Sequence, residues 1–240
     1  MDTTGEAPIV FNRIVQEEIG RQFELSPLPV SSEFKLKYSK NRNTSVYITS
    51  EFLSCPKTGG IRMGEMNFGG AMVVHYGSIP PAGDYDLPIF GFDFIYANKF
   101  LIAVIDLHPV SHDPSYIETY IAPLREVSQK YAWIPKAEGG RSEAHEWAKA
   151  YDSGYSFYRW CEKQYMPDVE NALRDYLRVF CAAVTNALPL KSREARSRRD
   201  DFFEKYRNDY TYYDPGSAPL KTHFGEDWGE RYMKDFLFAP

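Results

Sequence analysis

Cysteine is scarce: three in 240 residues (Cys55, Cys161 and Cys181) make neither a disulfide framework nor a four-thiolate metal site, and they point to a reduced compartment. No stretch approaches about 18 uninterrupted apolar residues, so no membrane-spanning helix is expected. The opening MDTTGEAPIV has neither a basic stretch nor a long apolar one. A secretory signal is therefore not expected, and the cytoplasm is the expected location. Excess positive charge is missing too: a net charge of −5 argues against broad nucleic-acid binding. No Gly-rich loop opens a helix after a strand, since Gly59-Gly60 and Gly69-Gly70 sit in hairpin-like turns. There is no Cys-x-x-Cys, no His-Glu-x-x-His and no Ser nucleophile elbow. His108 and His112 are four apart, but Pro109 between them keeps them off a common helical face, so no metal site is expected.

Aromatic residues are what the chain has in quantity: 16%, with 18 Tyr and 16 Phe. They suit the flat apolar walls of a planar-ligand site, although aromatic cores are the commoner use. The 43% hydrophobic and 25% charged fractions are those of an ordinary globular protein.

Residues 9–23 carry apolar positions at helical spacing. From about 33 to 107 come six short runs rich in β-branched and aromatic residues: EFKLKYS, TSVYITSEFL, GIRMGEMNF, AMVVHYG, PIFGFDFIYA and KFLIAVIDL. Turn clusters at 40–43, 56–60 and 79–86 punctuate them. Short connections predict an antiparallel meander of six strands. After Pro109 the pattern predicts helices over roughly 114–130, 143–162, 167–187, 192–207 and 217–236. Strands first and helices afterwards give one α+β domain over 1–240, its sheet covered by helices.

Ionisable residues interrupt the apolar strands. Period-2 alternation puts Asp93 on the face opposite Phe92, Phe94 and Tyr96, while His75 and Glu65 stand in comparable runs one and two strands earlier. A carboxylate in a core strand is costly unless paired or protonated, so the three either share a proton network or are satisfied singly; spacing alone does not fix their faces. Asp214 lies in the aromatic run Tyr210-Thr211-Tyr212-Tyr213-Asp214-Pro215-Gly216, which is also good turn chemistry. Lys191, Arg193, Arg196, Arg198 and Arg199 cluster against Glu194, either as a solvated helix face or as a dock for an acidic partner.

The run Asp86-Leu87-Pro88-Ile89-Phe90-Gly91-Phe92-Asp93 resembles the D/G-L-P-x-F-G-x-D stretch of the ferredoxin-dependent bilin reductases. Phe157-Tyr158-Arg159-Trp160-Cys161 is similar to that family's central F-x-R segment. Residues 224–233 (FGEDWGERYM), with Phe236-Leu237-Phe238, resemble its closing helix, and Asp214, ten residues before Phe224, matches its second aspartate. The resemblance runs from about residue 60 to the end and is weak before that.

The resemblance implies a three-layer α/β/α sandwich around a central antiparallel sheet, with biliverdin IXα between the sheet and the C-terminal helices. It implies no metal, flavin or nicotinamide held by the protein, and electrons arriving singly from an external [2Fe–2S] ferredoxin. By the same resemblance Asp93 is the principal proton donor, His75 a histidine on the same face, Glu65 a glutamate linked to D-ring vinyl reduction, and Asp214 the aspartate on the helical side. Arg159 matches an arginine that pairs with a propionate, and Lys221 is a second propionate candidate by position. Arg193, Arg196 and Arg199 become candidates for ferredoxin docking. Heme oxygenase is the implied upstream source of substrate, and a monomer is expected. Glu65 and His75 resemble the phycocyanobilin branch, though Met63 replaces a histidine often found there. Phe157 to Cys161 and Asp214-Pro215 resemble the phycoerythrobilin-forming viral enzymes, so phycoerythrobilin is slightly favoured. A non-catalytic bilin carrier or lyase-like chaperone is the alternative.

Overall fold

The computed structural model describes residues 11–41, 45–97, 99–136 and 146–239. Seven strands form one antiparallel sheet in chain order: β1 (Leu36–Tyr38), β2 (Val46–Leu53), β3 (Ile61–Phe68), β4 (Met72–Ile79), β5 (Ile89–Ala97), β6 (Phe100–His108) and β7 (Phe157–Glu162). Helices cover both faces, so the chain is an α+β protein with the expected three-layer α/β/α order.

One face carries Met63, Phe90, Phe92, Phe94, Ala103, Ile105 and Phe157, and packs on α1 (Phe11–Gly20), α4 (Leu124–Lys130) and α5 (Met166–Asn186). The helices present matching stripes. In α1, Phe11, Ile14, Val15 and Ile19 recur at helical spacing and are buried. Phe11 stacks on Phe94 with ring centroids 3.8 Å apart. The opposite face meets α2 (Ser32–Lys35), α6 (Arg193–Tyr213), α7 (Ser217–Phe224), α8 (Glu226–Arg231) and a π-helical turn, Tyr232–Leu237. Phe224, Trp228, Tyr232 and Phe236 form the expected aromatic stripe, with successive ring centroids 5.0, 4.9 and 5.3 Å apart.

The sequence pattern misassigns several elements. Of the helix expected over 143–162, residues 143–145 lie outside the described residues, Glu146–Tyr151 is a 3-10 turn, and Phe157–Glu162 is the seventh strand. Gly154, at φ +79°, lies in the connection between them, and the alternating burial of FYRWCE docks it on β6. EFK is helical, leaving three residues of EFKLKYS extended. The α6 helix runs to Tyr213 instead of 207, so the aromatic run before Asp214 is helical; Ser192 caps its start, its hydroxyl accepting from Ala195 N–H at 3.1 Å. The closing helix breaks at Gly225, whose φ of +105° no ordinary helix admits. Parts of the first helix (9–10) and of the 40–43 turn (42–43) are likewise outside the described residues. Among the described residues no helix is long and apolar enough to cross a membrane.

Candidate functional site

Antiparallel register lines up side chains in rungs across the sheet. On the face toward α6 and the closing helices, Ser50, Gly64, Tyr76, Asp93, Val104 and Tyr158 stand in one rung. The next rung holds Ile48, Met66, Val74, Ile95, Ile102 and Trp160. On the α1 and α5 side the facing residues of β5 and β6 are almost wholly buried, whereas here Val74, Ile95, Ile102, Val104, Tyr158 and Trp160 stay half-exposed. The result is an apolar trough over β4 to β7, open where helices cover the other face.

Asp93 stands in the middle of that trough. Its Oδ1 is buried without a hydrogen-bond partner among the described residues. Burial, and then the charge of Asp214, push its carboxyl up to about 7. Asp214 terminates α6, where its Oδ1 accepts from Gly216 N–H at 2.6 Å. Beside Asp93, Tyr76 donates to Tyr232 at 2.9 Å, and Tyr232 also meets the Ser50 hydroxyl at 2.9 Å. A Cβ at Gly64 would fall inside the Tyr76 ring, so that glycine is what lets the tyrosine lie across the rung. Burial pushes the Tyr232 hydroxyl up to about 12 and raises that of Tyr76 well above its ordinary value, so both remain protonated donors.

Glu65 and His75 are on the other face. They pair with each other and, through His75, with Phe94, and all three point toward the α1 side. His75 is 2% exposed, 6.0 Å from the Phe11 ring centroid, and burial lowers its pKa to about 4. Glu65 is raised by burial against hydrogen bonds from Asn67 and Tyr47. The residue of β4 that faces Asp93 is therefore Tyr76; His75 does not share its face as the resemblance implies, and of the two alternatives open for Asp93, His75 and Glu65 the shared network does not form.

Two further expectations need correction, those for Arg159 and Arg199. Arg159 pairs with Ala103, so it too points away from Asp93; it is 6% exposed and donates to the carbonyls of Tyr158 (2.8 Å) and Tyr131 (3.2 Å). Lys221 is held by Glu226 and Glu230, both at 3.4 Å. Of the basic cluster, Arg196 pairs with Asp84 at 3.1 Å, and Arg199, 8% exposed, donates to the Gly83 carbonyl and pairs with Asp200 at 2.9 Å; Arg193 alone of the three is exposed. Among the described residues no group of three or more His, Cys, Asp or Glu is placed to hold a metal.

Two residues of the trough wall went unrecognised in the sequence. Asp106 and His108, two apart near the end of β6, share the face of Asp93. The Ile-Asp-Leu-His alternation carries that signal, which the comparison of His108 with His112 obscures.

A family model described as ferredoxin-dependent bilin reductase matches residues 12–239. A 15,16-dihydrobiliverdin:ferredoxin oxidoreductase of Gloeobacter violaceus is 27% identical, covering 93% of this chain and 91% of its own. A protein of the same name from Nostoc punctiforme is 28% identical over 95% and 93% of the two chains. A phycoerythrobilin:ferredoxin oxidoreductase of Gloeobacter violaceus is 27% identical over 93% and 91%. Phytochromobilin synthase from tomato, solved in complex with biliverdin, superposes with a TM-score of 0.81 at 19% identity, covering 95% of this chain and 81% of that one.

Proposed function

Because the chain belongs to the ferredoxin-dependent bilin reductases, oxidoreductases that take electrons from ferredoxin, we propose that it reduces biliverdin IXα by four electrons to phycoerythrobilin, one electron at a time through a bilin radical. The observation that carries this is Asp93: a carboxyl held near pH 7 in the middle of an open apolar trough, facing the charge of Asp214. Each added electron makes a tetrapyrrole more basic, so reduction stalls unless a proton arrives. An ordinary aspartic acid is ionised at neutral pH and has none to give. Burial and a like charge keep one on Asp93 until the ring demands it. Asp214, at the end of α6 on the opposite wall, is the second donor. The half-exposed aliphatic and aromatic floor offers a flat ring system a surface to lie on. In this proposal the protein holds no flavin, nicotinamide or metal, and ferredoxin brings the electrons.

A second reading, favoured by the names of the Gloeobacter and Nostoc relatives, is a two-electron, two-proton reduction of biliverdin to 15,16-dihydrobiliverdin with ferredoxin as the donor. Anaerobic turnover of biliverdin with reduced ferredoxin, followed by chromatography, separates the two. Phycoerythrobilin is expected; accumulation of 15,16-dihydrobiliverdin that is not consumed selects the second, phycocyanobilin overturns the product, and a shifted but static spectrum means a carrier.

A further inference from the structure

His108 ends β6 beside Ile89, and Asp106 stands beside Gly91. A Cβ at Gly91 would lie 2.8 Å from His108 Nε2, so the missing side chain lets the imidazole lean across β5 toward Asp93, the next residue on that face. His108 Nδ1 lies 3.0 Å from the Tyr151 carbonyl oxygen and 3.7 Å from Asp106 Oδ2. Its Nε2 lies 3.4 Å from the Tyr210 hydroxyl. With Nδ1–H donating to that carbonyl, neutral His108 accepts from Tyr210 at Nε2; charged, it donates at both ends.

Asp106, 2% exposed, accepts from Ser153 N–H at 3.0 Å and from Leu107 N–H at 2.8 Å. From β5 comes Asp93; from α6 come Tyr206, Tyr210 and, at its end, Asp214; from the 3-10 turn comes Tyr151, whose hydroxyl faces away to Asp209 and Lys205. Burial, and then the charge of Asp214, push the Tyr210 hydroxyl up, which places Asp214 within electrostatic reach of it. Asp106 thus lies beside the imidazole, and the His108 side chain keeps 13% of its surface in contact with water.

We propose that His108 is a positioning residue that resupplies protons to the Asp93–Asp214 end of the trough through Tyr210; this rests on the bilin-reducing function proposed above. A four-electron reduction consumes four protons, and two carboxyls hold at most two, so protons must enter during turnover. In the step proposed, the proton on His108 Nε2 passes to the Tyr210 oxygen as the hydroxyl proton of Tyr210 passes to ionised Asp214. No electron moves, Tyr210 ends as it began, and neutral His108 takes its next proton from water.

The test uses the full chain with biliverdin and reduced ferredoxin under anaerobic stopped-flow, comparing the parent with His108→Ala, with and without free imidazole. The variant is expected to bind biliverdin with the parent's spectrum and to make the first one-electron step at the parent's rate. Its complete turnover falls on the order of 100-fold, the usual contribution of a positioned acid–base group. Free imidazole restores turnover, in proportion to the pKa of the imidazole added, and Tyr210→Phe in the same background abolishes that rescue. A turnover equal to the parent's, or a loss that no imidazole repairs, overturns the relay. If the alanine variant does not fold, His108→Gln keeps the polar contacts without a transferable charge, and an undiminished turnover from it overturns the relay equally. A parent chain that binds biliverdin and never reduces it overturns the reductase function and the relay with it.

Discussion

Replacing Asp93 with asparagine keeps its size and polarity and removes the transferable proton. With its carboxyl near 7, about half of the parent molecules hold that proton at pH 7; at the ordinary value of 3.8 the fraction is about one in 1,600. Asp93→Asn should therefore bind biliverdin and accept an electron from ferredoxin, then accumulate a bilin radical visible by electron paramagnetic resonance. The same shift has a signature that needs no ligand. A raised carboxyl means that the folded chain binds the proton more tightly than the unfolded chain, so the parent loses stability as pH climbs from about 4 to about 7. The gap corresponds to at most ~4 kcal/mol at ~1.4 kcal/mol per pH unit, and to ~2 kcal/mol for a side chain still partly in water. For a chain of this size ~2 kcal/mol is roughly 4–8 °C in Tm. The Tm of Asp93→Asn minus that of the parent should thus rise by about that amount between pH 4 and pH 8, measured by calorimetry without bilin. A difference that stays flat across that window, or full-rate, full-yield turnover by Asp93→Asn, would refute the assignment of Asp93 as the stored proton.

His75→Leu should leave bilin binding and turnover in place, since His75 faces α1, and should flatten the acid side of the stability profile. With His75 lowered to about 4, its stabilisation is complete above about pH 6.5 and lost as pH falls through 4, which thermal melts across that range would show; a folded variant unable to reduce biliverdin would contradict the face assignment. Arg196→Glu with Arg199→Glu, directed at a docking face, should instead lower Tm at every salt concentration by freeing the buried Arg199 contacts; an unchanged Tm with a salt-dependent loss of ferredoxin turnover would restore the docking role. Truncation from Pro219 onward should remove the Phe224–Phe236 stripe and abolish biliverdin binding, measured by absorbance titration; an unchanged bound spectrum would refute its place over the trough.

Six strands were legible because β-branched and aromatic runs alternate between turn clusters. The seventh was hidden: FYRWCE sits between a 3-10 turn and a long helix, and six residues carry too little period to compete with their neighbours. Asp93 stood out as a carboxylate in an apolar strand. What the sequence withheld was the relative facing of β3, β4 and β5. A strand slipped by one residue exchanges its two faces, and hairpin geometry, not composition, sets that register. Hence His75 was grouped with Asp93 when its neighbour Tyr76 is the residue that faces it. The arginines misled for a related reason: charge in the sequence says nothing of backbone carbonyls that fold against it, as those of Tyr131 and Gly83 do against Arg159 and Arg199.

The break at Gly225 divides the end of the chain into a helix of eight residues and a second helical run of twelve, Glu226 to Leu237. Helices shorter than about 12–15 residues are marginal on their own, so each borrows its order from the aromatic stripe seated on the sheet. That layer should be the first to surrender its amide hydrogens to exchange, opening as a unit while the strands beneath stay protected. A ligand lying in the trough would slow that opening in proportion to how tightly it binds, because both draw on the same closed state. Exchange rates in residues 217–237 thereby become a direct gauge of occupancy, and entry to the trough requires no hinge beyond the marginal stability of its own cover.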